Sequence, residues 1–329
     1  MVWLNYIPLR GSSFMNILSQ VTRIKNAIAE VLTGKDELVE LTMIAIVNKG
    51  HLLLEDVPGT GKTVLAKSLA RLIEGDFKRI QFTPDILPAD ITGIQFFHPK
   101  HQEFEMRPGP VMTNILLADE INRATPRAQS SLLEVMEERQ VTIDGETLKL
   151  PSPFLVIATQ NPIESHGTFP LPEAQLDRFF MKLPSGYPDF HQEKEMLHMY
   201  RTKNPQDTLK PVFSLEDILV MQQEVQETRI SDEVENYLLS VVQATRSNEF
   251  IENGISPRGT LAFMRAAQGA AYIQGRAFVK PDDVQFVAPY VLAHRLVLTM
   301  EGTMRKTKEQ VLKEILESIN VPVESEAGR

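Results

Sequence analysis

The chain contains no cysteine. Disulfides and thiolate metal sites are therefore excluded, and a reducing cytoplasm is the expected location. Long apolar runs are missing too: nothing in the sequence approaches the roughly 18 residues of a membrane-spanning helix, so no direct membrane insertion is expected. The stretch Met1 to Phe14 carries one charge, Arg10, and lacks the basic-then-apolar order and small-residue cleavage site of a secretion signal. Met15 follows at the start of a helical pattern, so residues 1–14 read as an N-terminal extension, either from an alternative start site or not native to the protein. Positive charge is in deficit, with 34 Lys and Arg against 43 Asp and Glu for a net charge of −9. That balance argues against sequence-independent attraction to nucleic acid or to an anionic membrane. What remains is ordinary: 43% apolar and 23% charged residues over 329 positions, enough for two domains with proper cores.

The two halves differ in texture. From about 15 to 187, short apolar strands alternate with helices, the pattern of a parallel α/β sheet. The strands are expected at Leu52–Leu54, Arg79–Phe82, Asn114–Ala118, Phe154–Ala158 and Phe179–Leu183. From 188 to 329 helical periodicity takes over, with helices expected at Phe190–Tyr200, Leu215–Thr228, Asp232–Asn248, Pro257–Gln274, Pro281–Leu298 and about Thr307 to Ser318. Ser214, Ser231 and Ser256 stand where N-caps belong, the last followed by a proline suited to the first helical position. The break at Ser185-Gly186-Tyr187-Pro188 reads as a hinge. Two pieces interrupt the first half. Residues of about 140–150 alternate on either side of Asp144-Gly145, a two-residue hairpin signal. Residues of about 87–113 are too long for a simple connection and read as a functional insertion.

The chemistry starts at Glu55-Asp56-Val57-Pro58-Gly59-Thr60-Gly61-Lys62-Thr63, between the apolar run His51–Leu54 and an amphipathic helix over Val64–Ile73. That strand–loop–helix context is what a phosphate-binding loop requires. The loop from Pro58 through Val64 is expected to cradle phosphates at the helix N-terminus, with backbone N–H groups from Gly59 onward as donors and the dipole favouring negative charge. Lys62 is expected to reach the β- and γ-phosphates of ATP, and the Thr63 hydroxyl to bind Mg²⁺. Asp56 stands where the general motif has glycine, and it belongs outside the cradle, since an acid inside would repel the nucleotide.

Ile115-Leu116-Leu117-Ala118-Asp119-Glu120 reads as a buried strand ending in two carboxylates, and strand ends of this kind are where ligands collect in parallel sheets. Asp119 is assigned to the metal shell and Glu120 to activation of the attacking water. Taken alone the pair is also what an ordinary strand end looks like. Asn161, at the exit of the strand Phe154–Ala158, either bonds the γ-phosphate or lytic water or simply initiates an Asn-Pro turn. Arg178 is either a rim ion-pair residue or a finger that stabilises transition-state charge in a neighbour's site. Arg258 sits in the first turn of its helix, where the dipole disfavours a cation, and this points to a phosphate-facing role. The seven histidines show no ligand spacing with acids and read as surface or packing residues, and the methionines as core filler.

Together these motifs resemble the AAA+ ATPase layout, and more closely the MoxR family. The resemblance is carried by His51–Gly59, Leu117-Ala118-Asp119-Glu120-Ile121-Asn122-Arg123-Ala124, Met136–Val141, Ala158–Pro162, Leu171–Phe179, Ser256-Pro257-Arg258-Gly259 and Gly275–Val279, and it covers the chain from about Met15 onward. Asp56 is itself at home in that family. The resemblance implies a five-stranded αβα AAA+ core at 15–187, an all-helical lid at 188–329, and a hexameric ring with ATP at subunit interfaces. It also implies that Asn161 is the first sensor, Arg178 the finger acting in trans and Arg258 the second sensor. The 87–113 insertion matches the family's helix-2 insert and the 140–150 hairpin its pre-sensor insert. By the same resemblance the work is chaperone-like remodelling, maturation or metal insertion on protein clients, among them ones with von Willebrand factor A domains. A DNA-directed motor and the ATPase subunit of a magnesium-chelatase-like complex share the scaffold. The net charge of −9 and the lack of a fused DNA-binding module count against the first, and porphyrin-dependent activity would separate out the second.

Overall fold

The computed structural model describes residues 12–32, 34–55, 60–161, 167–184, 186–187, 189–201 and 205–322. Asp56, Val57, Pro58 and Gly59 of the phosphate loop, and Ser185 and Pro188 of the expected hinge, lie outside the described residues. In chain order, α1 (Ser12–Ala29) and α2 (Asp36–Val47) precede β1 (Leu52–Glu55), α3 (Lys62–Leu72) and β2 (Phe77–Gln81). The short α4 (Pro88–Thr92) leads into a hairpin of β3 (Gly93–His98) and β4 (Glu103–Pro108). β5 (Ile115–Asp119), α5 (Pro126–Glu138), a second hairpin of β6 (Gln140–Ile143) and β7 (Glu146–Lys149), β8 (Leu155–Gln160), α6 (Glu173–Leu176) and β9 (Met181–Pro184) follow. The remainder is α7 (Phe190–Met199), α8 (Leu215–Glu224), α9 (Asp232–Ser247), β10 (Ile251–Asn253), α10 (Pro257–Ile273), α11 (Pro281–Leu292), β11 (Val297–Leu298), α12 (Met300–Arg305) and α13 (Lys308–Ser318).

Five strands form one parallel sheet in the order β2-β5-β8-β1-β9. The central strands β1, β5 and β8 are buried along nearly their whole length, as continuous apolar runs covered by helices on both faces should be. The fold is therefore α/β with a parallel core sheet followed by helices. The helix starts follow their caps: Ser256 Oγ accepts the Gly259 N–H at 3.0 Å, and Ser214 and Asp217 form a reciprocal capping box. One hydrophobic cluster runs without interruption from Ile17 on α1, through the sheet, to Ile315 on α13. The helical second half thus shares a core with the half that carries the parallel sheet.

Two expectations about the helices need correcting. The helix expected over Pro281–Leu298 stops at Leu292, because Val297–Leu298 pairs antiparallel with Ile251–Asn253 and the buried Arg295 guanidinium is tied back to Asp177. The one expected over Leu215–Thr228 leaves α-geometry at Glu224 and tightens into a 3₁₀ turn over Val225–Glu227.

His51 stitches the start of β1 to its neighbours. Its Nδ1 accepts the Val156 N–H at 3.0 Å, and Nε2 lies 3.0 Å from the Met136 carbonyl. Burial, with Arg139 nearby, lowers its pKa from 6.5 to about 3. The folded chain then refuses a proton that the unfolded chain accepts, so this stabilising contribution is complete above pH 6.5 and declines as pH falls toward 3. Urea titrations between pH 7 and 5 should show unfolding free energy dropping on acidification, with His51 supplying up to about 1.4 kcal/mol per pH unit. In His51→Gln the slope should be visibly shallower; an unchanged slope would assign it to other groups.

Candidate active site

The C-terminal ends of β1, β5 and β8 converge at one end of the sheet. β1 runs into the phosphate loop, whose described part begins at the buried Thr60. Gly61 has φ of 88°, a left-handed conformation that favours glycine, and it caps α3; a Cβ there would also meet a Leu32 methyl at 2.5 Å. Lys62, Thr63 and Val64 open α3 half-buried, and the first turn holds no acid. That leaves the helix N-terminus electropositive, as an anion site requires. Glu55, at the end of β1, is held by Lys182 at 2.7 Å and Gln160 at 3.1 Å, which offsets its charge beside the loop.

Asp119 and Glu120 end β5 two strands away. The buried Asp119 takes the Thr159 hydroxyl at 2.6 Å on Oδ1 and Arg79 at 2.7 Å on Oδ2. Glu120 adopts φ 59° and ψ 48°, a left-handed conformation costing a non-glycine residue about 1–2 kcal/mol. The strain is held by its own N–H, which donates to Thr159 Oγ1 at 2.8 Å. Its carboxylate accepts from Gln81 at 2.9 Å and pairs with Arg123 at 3.0 Å. Asn161, buried just past β8, has its carbonyl bonded by Asn122 at 3.3 Å. Each Asp119 oxygen keeps lone-pair capacity beyond the hydrogen bond it accepts, and the Thr63 hydroxyl stands at the head of α3. The residues present therefore fit a hard divalent cation between loop and strand, and ATP phosphates at the helix.

Arg178 and Arg258 are elsewhere. Arg178 lies three residues before β9, whose Met181 registers with Leu52 at the start of β1. It is thus at the N-terminal end of the parallel strands, separated from the phosphate loop by at least the length of β1, about 13 Å. There Glu137, in the last turn of α5, pairs with Arg178 at 3.3 Å and also with Arg258. An acid at a helix C-terminus and a cation at a helix N-terminus each oppose the dipole, and pairing them relieves both. The two arginines share a cleft of about 940 Å³ with Arg139 and Arg265. Asp177 sets the arrangement: it accepts from the buried Arg295 at 2.7 Å and from Ser256, the cap two residues before Arg258, at 3.3 Å. Arg295 also donates to the Phe179 carbonyl at 2.7 Å. Burial lowers its pKa, and the Asp177 carboxylate pushes back.

The sequence-expected residues thus form two groups: Thr60–Val64, Asp119, Glu120 and Asn161 at one end, Arg178 and Arg258 at the other. Arg258 lies with Arg178 and away from this chain's own phosphate loop. Pro58 and Gly59 lie outside the described residues. Thr159, Arg79, Gln81, Glu137 and Arg295 have no role in the site that the sequence alone assigns. Thr159 had a signal, a hydroxyl at the end of an otherwise apolar strand. Of the histidines, His51 and His294 are buried among packing residues, while His98 and His101 lie at the surface and gather with Glu105, a proximity their spacing in the sequence does not announce.

A family model for ATPases associated with various cellular activities matches residues 51–181, and an AAA lid model matches 243–315. The chain is 49% identical over 303 residues to the uncharacterized protein YeaC of Bacillus subtilis, covering 92% of this chain and 95% of that protein. It is 42% identical to chaperone MoxR1 of Mycobacterium tuberculosis, over 93% and 84% of the two chains, and 28% identical to protein MoxR of Methylorubrum extorquens, over 91% and 94%. A crystal structure of an ATPase candidate from Cytophaga hutchinsonii superposes with a TM-score of 0.88 at 36% identity, over 95% of this chain and 98% of that one.

Thr159→Val keeps the strand's volume while removing the hydroxyl that joins Asp119 to the Glu120 backbone. It should cost about 1–3 kcal/mol in urea unfolding, and lower phosphate release from ATP by about tenfold or more, as loss of a group that orients a ligand-holding carboxylate does. Wild-type turnover in a folded variant would remove Thr159 from the site.

Proposed function

Because the chain belongs to the MoxR family of AAA+ ATPases, we propose that it hydrolyses ATP at a site completed by a neighbouring copy, and that the cycle remodels or matures a protein partner. The observation that carries this is the separation of Arg178 and Arg258 from the phosphate end of their own sheet. Neither arginine can serve its own phosphate loop across the length of β1, so each is available to the site of an adjacent subunit. One face offers the nucleotide and a different face offers the arginines, so the contact is head-to-tail. Repetition of such a contact closes a ring or extends a filament, and the family resemblance favours a hexameric ring.

Within the site, the loop from Pro58 to Val64 holds the phosphates through backbone N–H groups that begin at Gly59, and Lys62 reaches the β- and γ-phosphates. Thr63 and Asp119 would hold Mg²⁺, which supplies neutralisation of phosphate charge. Glu120 orients the attacking water and takes its proton once Gln81 and Arg123 release the carboxylate. Asn161 stands beside that water. Arg178 and Arg258 from the neighbour leave Glu137 to stabilise charge on the departing phosphates.

For the work done, support comes from relatives named as chaperone and MoxR proteins. Clients bearing von Willebrand factor A domains, and metal insertion as one form of maturation, follow from the family. A cytoplasmic setting suits a chain with no cysteine. Among the described residues no helix is long and apolar enough to cross a membrane.

The test is phosphate release measured across protein concentration, beside light scattering. Specific activity should rise as copies associate, and Glu120→Gln should retain nucleotide binding while hydrolysis falls by about 10²–10⁴-fold. Full specific activity in a monomeric sample, or near-normal turnover in Glu120→Gln, would contradict the reading.

A further inference from the structure

The β3–β4 hairpin carries a cluster that ATP hydrolysis does not use. Along its ladder Phe96 opposes Glu105 and His98 opposes Glu103, so these four side chains share one face; Phe97 and Phe104 oppose each other on the other. The turn between the strands bends back on itself. Gln102 takes a left-handed φ of 54° and donates its N–H to the His98 carbonyl at 2.9 Å. That conformation folds His101 over the ladder, where its ring lies 4.4 Å from the His98 ring and its N–H approaches His98 Nδ1 at 3.4 Å. One ligand atom from each of His98, His101 and Glu105 falls within 4.8 Å of the others.

We propose that His98, His101 and Glu105 form a binding site for a borderline divalent transition ion, Zn²⁺ foremost. Two imidazoles and one carboxylate are a donor set that suits Zn²⁺ and not Mg²⁺, which prefers oxygen ligands alone. Two nitrogens and an oxygen at about 2.0–2.2 Å from a common ion stand about 3.3–3.5 Å apart in a tetrahedron. The observed spread closes to that by side-chain rotation, since His101 is exposed and the other two are half-buried. Three protein ligands leave a fourth position for water or for a donor from another molecule. The ion would tie the turn to both strands and fix the hairpin that holds Phe97 and Phe104, 50% and 67% exposed, on its opposite face. This site is separate from the Thr63–Asp119 pair and does not depend on the proposed ATPase cycle.

The probe is Zn²⁺ itself, titrated calorimetrically into the full chain after chelator treatment, without nucleotide and with excess Mg²⁺ to occupy oxygen sites. One ion per chain should bind. His98→Asn with His101→Asn should abolish that uptake, and Glu105→Gln alone should weaken it by about tenfold or more, each with an unchanged far-UV circular dichroism spectrum. Co²⁺ should give the visible bands of a four- or five-coordinate ion, lost in the same variants. Absence of saturable uptake, uptake that survives loss of both histidines, or displacement by Mg²⁺ would overturn the proposal.

Discussion

All five core strands run the same way, and the functional geometry follows from that polarity. In a parallel sheet every strand delivers its C-terminal residue to one end. The phosphate loop after β1, the acids ending β5 and the threonine and asparagine ending β8 meet without any long-range search. The same polarity assigns residues before β9 to the other end. Arg178 stands there because it precedes its strand while Glu120 follows its own. A chemistry that needs both groups on one phosphate therefore needs two copies of the chain.

The arginine end is fixed by an ion pair between a buried guanidinium and a partly exposed carboxylate. Arg295 comes from the segment after α11, and Asp177 from the turn before β9. Loss of Asp177 would leave the buried Arg295 guanidinium charged with little water, at a cost of about 3–5 kcal/mol. The pair therefore constrains geometry more than it adds stability. Since Asp177 also bonds Ser256, the cap of α10, it holds the helix bearing Arg258 against the turn bearing Arg178. Movement of the second half cannot shift one arginine without disturbing the other. At the opposite end Thr159 plays a comparable part, holding Asp119 by its hydroxyl and steadying the strained Glu120 backbone through its oxygen.

Much of this was legible in the sequence because it rests on local signals. Apolar runs gave the central strands, Asp144-Gly145 gave its hairpin, and serines before acidic first turns or proline gave the helix starts. The phosphate loop and the Asp119-Glu120 pair were readable because their chemistry lies in consecutive residues. What escaped is non-local. Glu137 looks like any helix-surface acid until two distant arginines close on it. Arg295 lies inside what reads as one helix to Leu298, and only its tie to Asp177 and the pairing of β11 with β10 show why the helix stops. His98, His101 and Glu105 lack a familiar ligand spacing because a left-handed Gln102 and a diagonal ladder contact bring them together, and periodicity encodes neither. The misplacement of Arg258 against its helix dipole was visible and pointed to a role, but only the fold shows that it lies beside Arg178, at the end of the sheet away from its own phosphate loop.

The central claim is that one catalytic site draws on two copies of the chain. Mixing separately inactive Arg178→Ala and Glu120→Gln subunits addresses it directly. At interfaces pairing an intact Glu120 with an intact Arg178, hydrolysis should return, so that the mixture exceeds the sum of its parts and peaks at an intermediate ratio. Activity no greater than that sum at every ratio, with mixed assemblies demonstrated, would contradict a shared site.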